Sequence, residues 1–164
     1  MQELKPDSLL NTDASSYALL LFGQTRLLVP QRDIRLLDLL EDVDLSSSPE
    51  NGVGWSEFRQ QRIPVYCLST RLEWRSEVEP DRTICALLEA DGNFFGLLCS
   101  EVSIVQAEQI AFYETPAAMR VADAPFSHLA ISEDALACVS SASLLSACLP
   151  RTEEQENKYR SEAL

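Results

Sequence analysis

Short apolar runs separated by turn-forming residues dominate the sequence. Residues 17–22 are apolar and end at Gly23, and a second apolar run, residues 27–29, stops at Pro30. A helix this short is marginal in water, whereas buried strands are commonly of this length. Proline cannot donate to a strand ladder, which places the end of the second run at Pro30. We therefore predict two strands joined by a tight turn.

The middle of the chain continues this pattern. We predict a short helical turn over residues 31–36, then extended chain, and a loop over residues 46–54, which are rich in Ser, Pro, Asn and Gly. Residues 62–68 are apolar enough for a strand. Because Pro64 lies within this strand and lacks an amide hydrogen, we expect the strand at a sheet edge or at a bulge.

Two hairpins and a helix are predicted in the second half. Residues 82–89 are apolar on both faces, as in a central strand, and residues 91–93 form a turn to a return strand at 94–99. Residues 102–105 alternate, and residues 128–131 and 135–139 form a last hairpin. Ser140 and Ser141 can cap a helix over residues 142–147 that Pro150 stops.

About nine short strands and one terminal helix predict a mainly β architecture of small barrels. We assign residues 16–149 to one domain. The polar residues 1–15 are interpreted as a flexible N-terminal arm. Residues 150–164 are interpreted as a charged tail.

The charge balance restricts the partners. Among 164 residues, 26 are acidic and 13 are Lys or Arg, which gives a formal charge of −13. Such a protein repels phosphate backbones and anionic headgroups, so we expect no nucleic acid and no membrane insertion. The longest apolar stretch, residues 18–22, is far too short to span a bilayer, and the N-terminus lacks the features of a signal peptide. We expect a cytoplasmic protein.

Catalytic groups are scarce. The five cysteines lie mostly in apolar runs without a C-x-x-C pair, and His128 is the sole histidine, so the cysteines are interpreted as reduced core residues rather than disulfides or metal ligands. A Cys–His hydrolase would depend on His128. The glycine motifs that bind nucleotides are absent, and the carboxylate clusters are interpreted as solvated surface, with a glycosidase-like pair as the alternative. We expect no enzyme activity, cofactor, metal or small-molecule substrate.

One segment is more specific than the others. Residues 58–68, FRQQRIPVYCL, resemble the central signature of CheW-like domains, approximately N-L-R-G-x-x-I-P-V-x-D-L. Arg59 matches the arginine of the signature, residues 63–65 match its I-P-V, and Leu68 matches its final leucine. The departures are Glu57, Phe58, Gln60 and Cys67, in place of Asn, Leu, Gly and Asp. The chain is thus similar to a divergent member of this family.

Further matches follow in the family's order along residues 15–149. Residues 31–34 resemble its V-x-E-I element, with Asp33 at the acidic position. Residues 96–102 resemble its G-L-x-V-D-x-V element, with Ser100 at the aspartate. Residues 143–145 match its closing region, again without the aspartate.

The resemblance implies a fold and a role. The fold is two intertwined SH3-like five-stranded β-barrels with a C-terminal helix, and the N-terminal strand helps to build the second barrel. The role is that of a non-enzymatic adaptor that couples a chemoreceptor cytoplasmic tip to the regulatory domain of a histidine kinase. By the resemblance, Arg59, Asp33 and Ile34 belong to the receptor-binding groove, with Val65 as its support.

Alternatives remain for both the site and the function. An arginine at a strand start can form paired hydrogen bonds to a partner carboxylate or to helix-end carbonyl groups, but Arg59 could instead pair internally with Asp33 or Glu57. The missing aspartates suggest a separate pathway, such as pilus-type motility. They also favour an alternative function, an interaction module of this fold with an unrelated regulatory partner. A cysteine-dependent enzyme is the third hypothesis.

Overall fold

A computed structural model describes residues 14–119 and 124–150 of the chain. The strands are β1 Ser16–Phe22, β2 Thr25–Pro30, β3 Ile34–Leu39, β4 Gly54–Phe58, β5 Gln61–Leu68, β6 Trp74–Arg75, β7 Ile84–Ala90, β8 Asn93–Cys99, β9 Glu101–Gln106, β10 Ile110–Glu114, β11 His128–Ser132 and β12 Ala135–Val139. One α-helix, α1, spans Ala142–Cys148, and short 3-10 turns lie at Gln31–Asp33, Leu40–Asp42, Ala107–Gln109 and Ala117–Met119.

The strands form two sheets that share the chain in an intertwined order. The middle barrel has the order β3-β7-β8-β5-β4, with β6 paired to β5. The terminal barrel has the order β10-β11-β12-β2-β1-β9 and therefore combines strands from both ends of the domain. The expected mainly β fold of two intertwined barrels with a C-terminal helix is confirmed, and each sheet contains six strands rather than five.

Both sheets must curl, because the outermost strands of each sheet are joined, by a short connection in the terminal barrel and by a hydrogen bond in the middle barrel. The edge strands of the terminal barrel, β9 and β10, are linked by the three residues Ala107–Gln109. In a flat six-stranded sheet these strands would lie roughly 24 Å apart, whereas so short a linker spans at most about 14 Å. In the middle barrel, the Ser56 hydroxyl on β4 donates to the Asp38 carboxylate on β3 at 3.4 Å, which joins the two outermost strands.

Alternating side chains fill three cores. Tyr17 and Leu19 of β1 point into the terminal barrel, whereas Leu20 and Phe22 point into a larger core between the barrels. The middle barrel has its own smaller interior, which contains Val65. The core between the barrels also takes side chains from both sheets and from α1. This shared core therefore fixes the position of one barrel relative to the other, and with it any surface formed where the barrels meet.

The structure contains three strands that were not predicted, β4, β6 and β10. β4 begins at the end of the predicted loop and ends before the predicted strand at 62–68. The loop prediction for residues 46–54 is wrong at its last residue, Gly54, which begins β4. The helical turn expected over residues 31–36 is shorter, ending at Asp33 where β3 follows.

The edge assignment based on Pro64 is also wrong. β5 is an interior strand that pairs with both β4 and β8. Trp55, opposite Pro64, exchanges its backbone hydrogen bonds with Asp44 instead, so the missing amide hydrogen of Pro64 would not point toward β4. On the other side the pairing with β8 starts one residue later, at Val65. An interior strand therefore accommodates this proline without losing a ladder bond.

The other predicted elements are confirmed. The hairpins β1–β2, β7–β8 and β11–β12 turn near the predicted residues, and β7 is an interior strand between β3 and β8. Helix α1 starts after Ser141 and ends before Pro150. The N-terminal arm predicted at residues 1–15 and the tail predicted at 150–164 lie almost entirely outside the described residues.

The five cysteines form no disulfide bonds. Cys67, Cys85 and Cys99 are buried, and Cys138 and Cys148 are half-buried. Desolvation by burial raises the pKa of both the Cys85 and the Cys99 thiol to about 12. The interpretation of the cysteines as reduced core residues fits the three buried ones, which lie in the middle barrel and in the core between the barrels.

Candidate functional site

Arg59 lies at the tip of a two-residue hairpin turn between β4 and β5. Its φ is 52° and that of Gln60 is 64°, so both residues occupy the left-handed region. This is the backbone geometry of a type I′ turn, which suits the twist of a hairpin and favours Asn-Gly or Gly-Gly. Arg59 is therefore held at a turn rather than at the start of a strand, and its side chain is exposed.

Two phenylalanines support the Arg59 guanidinium. Its central carbon lies 5.0 Å from the centroid of the Phe58 ring, a cation–π distance. The Phe58 ring in turn packs against Phe94 of β8, with 5.3 Å between the ring centroids. Both phenylalanines are half-buried. The aromatic pair thus limits the motion of the arginine without neutralising its charge.

An ion pair continues this surface along the same sheet. Glu89 of β7 is the direct cross-strand partner of Phe94, and its carboxylate forms a salt bridge with Arg35 of β3, with 3.2 Å between the nitrogen and the oxygen. Arg35, Phe58, Arg59, Glu89 and Phe94 together define what we call the Arg59 surface. It combines a guanidinium, an aromatic pair and a charge pair at one end of the middle barrel.

The Arg59 surface can bind a carboxylate. Among the described residues, no salt bridge joins Arg59 to Asp33 or Glu57, so the internal pairing considered for it is not formed. A guanidinium presents a planar set of donors that matches a carboxylate in two parallel hydrogen bonds. Aromatic side chains beside it add apolar contact of the kind found at binding hot spots.

Asp33 has a different local role. Its carboxylate accepts a hydrogen bond of 2.9 Å from the backbone amide of Ala142, the first residue of α1. The Ser141 hydroxyl accepts from the amide of Leu144 at 3.1 Å and caps the same helix. An acid at a helix N-terminus satisfies an otherwise unpaired amide and suits the helix dipole. Asp33 therefore docks α1 against the chain segment before β3.

The other two predicted site residues lie deeper. Ile34 follows Asp33 and packs at the margin of the core between the barrels. Val65 is 0% exposed in the interior of the middle barrel, where it packs beside Gly96. Val65 can therefore support a binding surface through the barrel but does not contribute contact area to it. Asp33 and Ile34 lie together at the start of β3, and Arg59 lies at the hairpin tip between β4 and β5.

A buried arginine links the two barrels and was not identified from the sequence. Arg82 is 3% exposed and donates to the carbonyl oxygens of Leu68 and Pro80. It also donates to the Ser100 hydroxyl at 3.3 Å, and its guanidinium lies 5.7 Å from the Phe22 ring. The sequence offered one indication of this arginine. Ser100, which accepts from Arg82, occupies the position where the CheW-like signature has an aspartate.

A second arginine is held on an outer face of the middle barrel. Arg62 of β5 lies over the Trp55 ring at 4.5 Å and reaches Asp44 at 4.0 Å. These residues line a pocket of about 340 Å³. Hydrogen bonds from Ser46 lower the pKa of the exposed Asp44 carboxyl below its usual value. Arg62 therefore serves this local network and fixes the chain before β4.

Neither a metal-binding cluster nor a membrane-spanning helix occurs within residues 14–119 and 124–150. No three side chains of His, Cys, Asp or Glu in these ranges are grouped closely enough to hold a metal ion. No helix in the same ranges has the length and apolar character needed to cross a bilayer.

Comparisons with known proteins agree with the fold. The family model described as CheW-like domain matches residues 19–146. A similar solved structure is the scaffolding protein TtCheW from Thermoanaerobacter tengcongensis, with 18% sequence identity and a TM-score of 0.57. The similarity covers 77% of this chain and 88% of the other. A search of curated proteins found no match.

Proposed function

The chain belongs to the CheW-like domain family, and from this membership we propose that it is a non-enzymatic adaptor of bacterial chemosensory signalling. In this proposal it couples the cytoplasmic tip of a chemoreceptor to the regulatory domain of a histidine kinase in the cytoplasm. The departures from the family signature at Gln60, Cys67 and Ser100 favour a specialised pathway, such as one for pilus-type motility.

The observation that carries the proposal is the position of Arg59. The signature arginine is exposed at a hairpin tip, is braced by Phe58, and forms no salt bridge with a described carboxylate. Holding two consecutive L-residues in the left-handed region costs backbone energy. Such a cost is typical of positions that the surrounding structure fixes for binding. We propose that Arg59 binds a carboxylate or helix-end carbonyl groups of the receptor tip.

Binding by the purified protein tests the receptor contact. The ligand is a cytoplasmic fragment of a chemoreceptor from the same organism, and the dissociation constant is measured calorimetrically. We expect Arg59→Glu to weaken binding by about tenfold or more, as at a binding hot spot. Arg71→Glu is the matched control, because it makes the same charge change at another exposed arginine. We expect the control to change the dissociation constant by less than about twofold.

Each outcome of this experiment has a defined meaning. Equal losses for Arg59→Glu and Arg71→Glu would show that net charge, not the Arg59 surface, governs binding. Wild-type protein that binds neither the receptor fragment nor the kinase's regulatory domain would contradict the coupling role. That result would favour the second candidate, a module of this fold with an unrelated regulatory partner, for which the altered signature positions are the supporting observation.

A further inference from the structure

The terminal barrel carries an apolar patch on the face opposite its interior. Ala111, Ile131 and Leu136 are exposed and lie in one row, because Ala111 pairs with Ile131 and Ile131 pairs with Leu136 in register. Ile131 is 37% exposed and Leu136 is 54% exposed. Single exposed apolar residues are ordinary on protein surfaces, whereas contiguous ones mark interaction sites. We call these three residues the Leu136 patch.

The patch continues a buried row. One step along the same strands, Leu129 is 2% exposed and pairs with Cys138, which packs against the core between the barrels. Ala130 and Ala137 point the other way, into the barrel interior. The same face of β11 and β12 is therefore buried at Leu129, half-buried at Cys138 and exposed at the Leu136 patch. Ile131 and Leu136 lie on the interior strands β11 and β12, whereas Ala111 lies on the outermost strand β10.

The charges around the patch are acidic. The hairpin tip between Ile131 and Leu136 is formed by Glu133 and Asp134. The described acidic residues of the terminal barrel strands and their connections are Glu101, Glu108, Glu114, Glu133 and Asp134. The sole described Lys or Arg there is Arg26. Its guanidinium donates to the Ser132 carbonyl and lies 3.9 Å from Glu133.

We propose that the Leu136 patch is a second docking surface, for a protein partner that presents apolar side chains flanked by lysine or arginine. Basic flanks would meet the acidic hairpin tip while the apolar side chains cover Ile131 and Leu136. A second copy of this chain fits poorly, because it would bring two acidic rims together. The inference rests on the proposed adaptor function. It adds a second binding surface, on the terminal barrel, to the Arg59 surface on the middle barrel, and it states the chemistry of the partner.

Site-directed photo-crosslinking in cells of the source organism tests this surface. A photoreactive phenylalanine analogue replaces Leu136 in one strain and Ile104 in a matched control strain. Ile104 is a suitable control because it is 48% exposed on β9, a strand that pairs with neither β11 nor β12. We expect crosslinking at position 136 that exceeds the control by about tenfold. The crosslinked partner peptide, identified by mass spectrometry, is expected to contain apolar residues beside Lys or Arg.

The identified partner is then purified, and its binding is measured with intact variants. Leu136→Arg and the double variant Glu133→Lys, Asp134→Lys are each expected to weaken binding by about tenfold, whereas Ile104→Arg changes it by less than about twofold. Wild-type affinity should fall with added salt, and the double variant should lose that dependence. The inference is overturned by equal crosslinking at both positions, by no crosslinking, by crosslinks to a second copy, or by an acidic partner peptide.

The two proposals fail separately. Receptor binding that depends on Arg59, with no crosslinking at position 136, would overturn the Leu136 patch alone. Loss of the receptor and kinase contacts, with a basic-flanked partner still crosslinked at position 136, would instead overturn the coupling role.

Discussion

The turn that presents Arg59 holds a strained residue next to it. Gln60 has a φ of 64°, and its side chain is exposed. Glycine reaches this region without the steric cost that a Cβ atom imposes. The CheW-like signature has glycine at this position, and glycine is favoured as the second residue of a type I′ turn. The hairpin therefore tolerates glutamine at an energetic cost that other parts of the fold offset.

We predict that Gln60→Gly stabilises the protein by about 1 kcal/mol, which is the usual cost of the left-handed region for a non-glycine residue. Chemical denaturation with urea measures the change as a higher midpoint at constant slope. Gln61→Gly is the control, because Gln61 lies in β5 and glycine weakens a strand. Stabilisation by both substitutions, or by neither, would contradict the strain assigned to the turn.

The turn also shows the limit of prediction at the scale of one residue. Neither Arg59 nor Gln60 favours a positive φ, so the sequence indicated a strand start here. The hairpin at Asp91 and Gly92 was predicted because its residues are those that such a turn prefers. The exposure of Arg59 was expected from the resemblance, but its support by Phe58 depends on side-chain packing that only the structure shows.

Arg82 presents a second residue-scale problem, a buried cation without a counter-charge. Its hydrogen-bond partners are the carbonyl oxygens of Leu68 and Pro80 and the Ser100 hydroxyl, and it forms no salt bridge with a described carboxylate. Desolvating a charge without an opposite charge costs several kcal/mol, which hydrogen bonds offset in part. The aspartate of the family signature would provide that opposite charge.

We predict that Ser100→Asp stabilises the protein by about 1–3 kcal/mol near pH 7 through a charge-assisted bond to Arg82. The bound arginine lowers the pKa of the introduced carboxyl in the folded state. The added free energy of unfolding is therefore fully present above the pKa of an aspartate in the unfolded chain, about 3.9. It is lost as the pH falls through the lower pKa that this carboxyl has in the folded protein. Urea denaturation at several pH values measures this. Ser103→Asp, on the adjoining strand β9, is the control and should not stabilise.

At the scale of elements, tertiary pairing outweighed local signals. β4 follows a loop of Ser, Pro, Asn and Gly, and no strand was predicted between that loop and residue 62. Pro64 predicted an edge strand. In the structure β5 is an interior strand, and the absence of an amide hydrogen at Pro64 is tolerated because pairing with β8 begins one residue later, at Val65. Helix α1 was predicted correctly because its cap and its stop, Ser141 and Pro150, are both local.

Because Asp33 caps α1, substitutions at this residue can distinguish a structural role from a direct role in binding. We predict that Asp33→Ala destabilises the protein by about 1–2 kcal/mol, and that Asp33→Asn costs less because it keeps an acceptor oxygen. Ser141→Ala, which removes the other cap, should cost about 1 kcal/mol and serves as the comparison. Thermal unfolding and receptor-fragment binding are measured on the same samples. A loss of binding by Asp33→Asn with unchanged stability would show a direct contact with the partner.

At the scale of the whole molecule, the order of the chain joins the two barrels into one body. β1 and β2 belong to the terminal barrel although the complete middle barrel follows them. Ser100 alone separates β8 of the middle barrel from β9 of the terminal barrel, and β9 pairs with β1. The core between the barrels is shared by both sheets and α1. The Arg59 surface and the Leu136 patch therefore have a fixed spatial relation, as the proposed coupling role would require.

This architecture predicts that the barrels unfold together, and the cysteines can report it. Cys85 lies inside the middle barrel, whereas Cys99 lies in the core between the barrels. With both pKa values raised to about 12 by burial, the folded thiols hold almost no thiolate at pH 7, so alkylation proceeds through an opened state. Separation of two intact barrels would expose Cys99 and leave Cys85 protected. Unfolding as one unit would expose both.

We therefore expect iodoacetamide to label Cys85 and Cys99 of the native protein at the same slow rate, measured by peptide mass spectrometry. Cys138 should be labelled faster because it is half-buried. A rate for Cys99 well above that of Cys85 would show that the barrels open against each other. Rapid labelling of Cys85 or Cys99 in the folded protein would instead revive the thiol-enzyme hypothesis, since a catalytic cysteine needs an accessible thiolate.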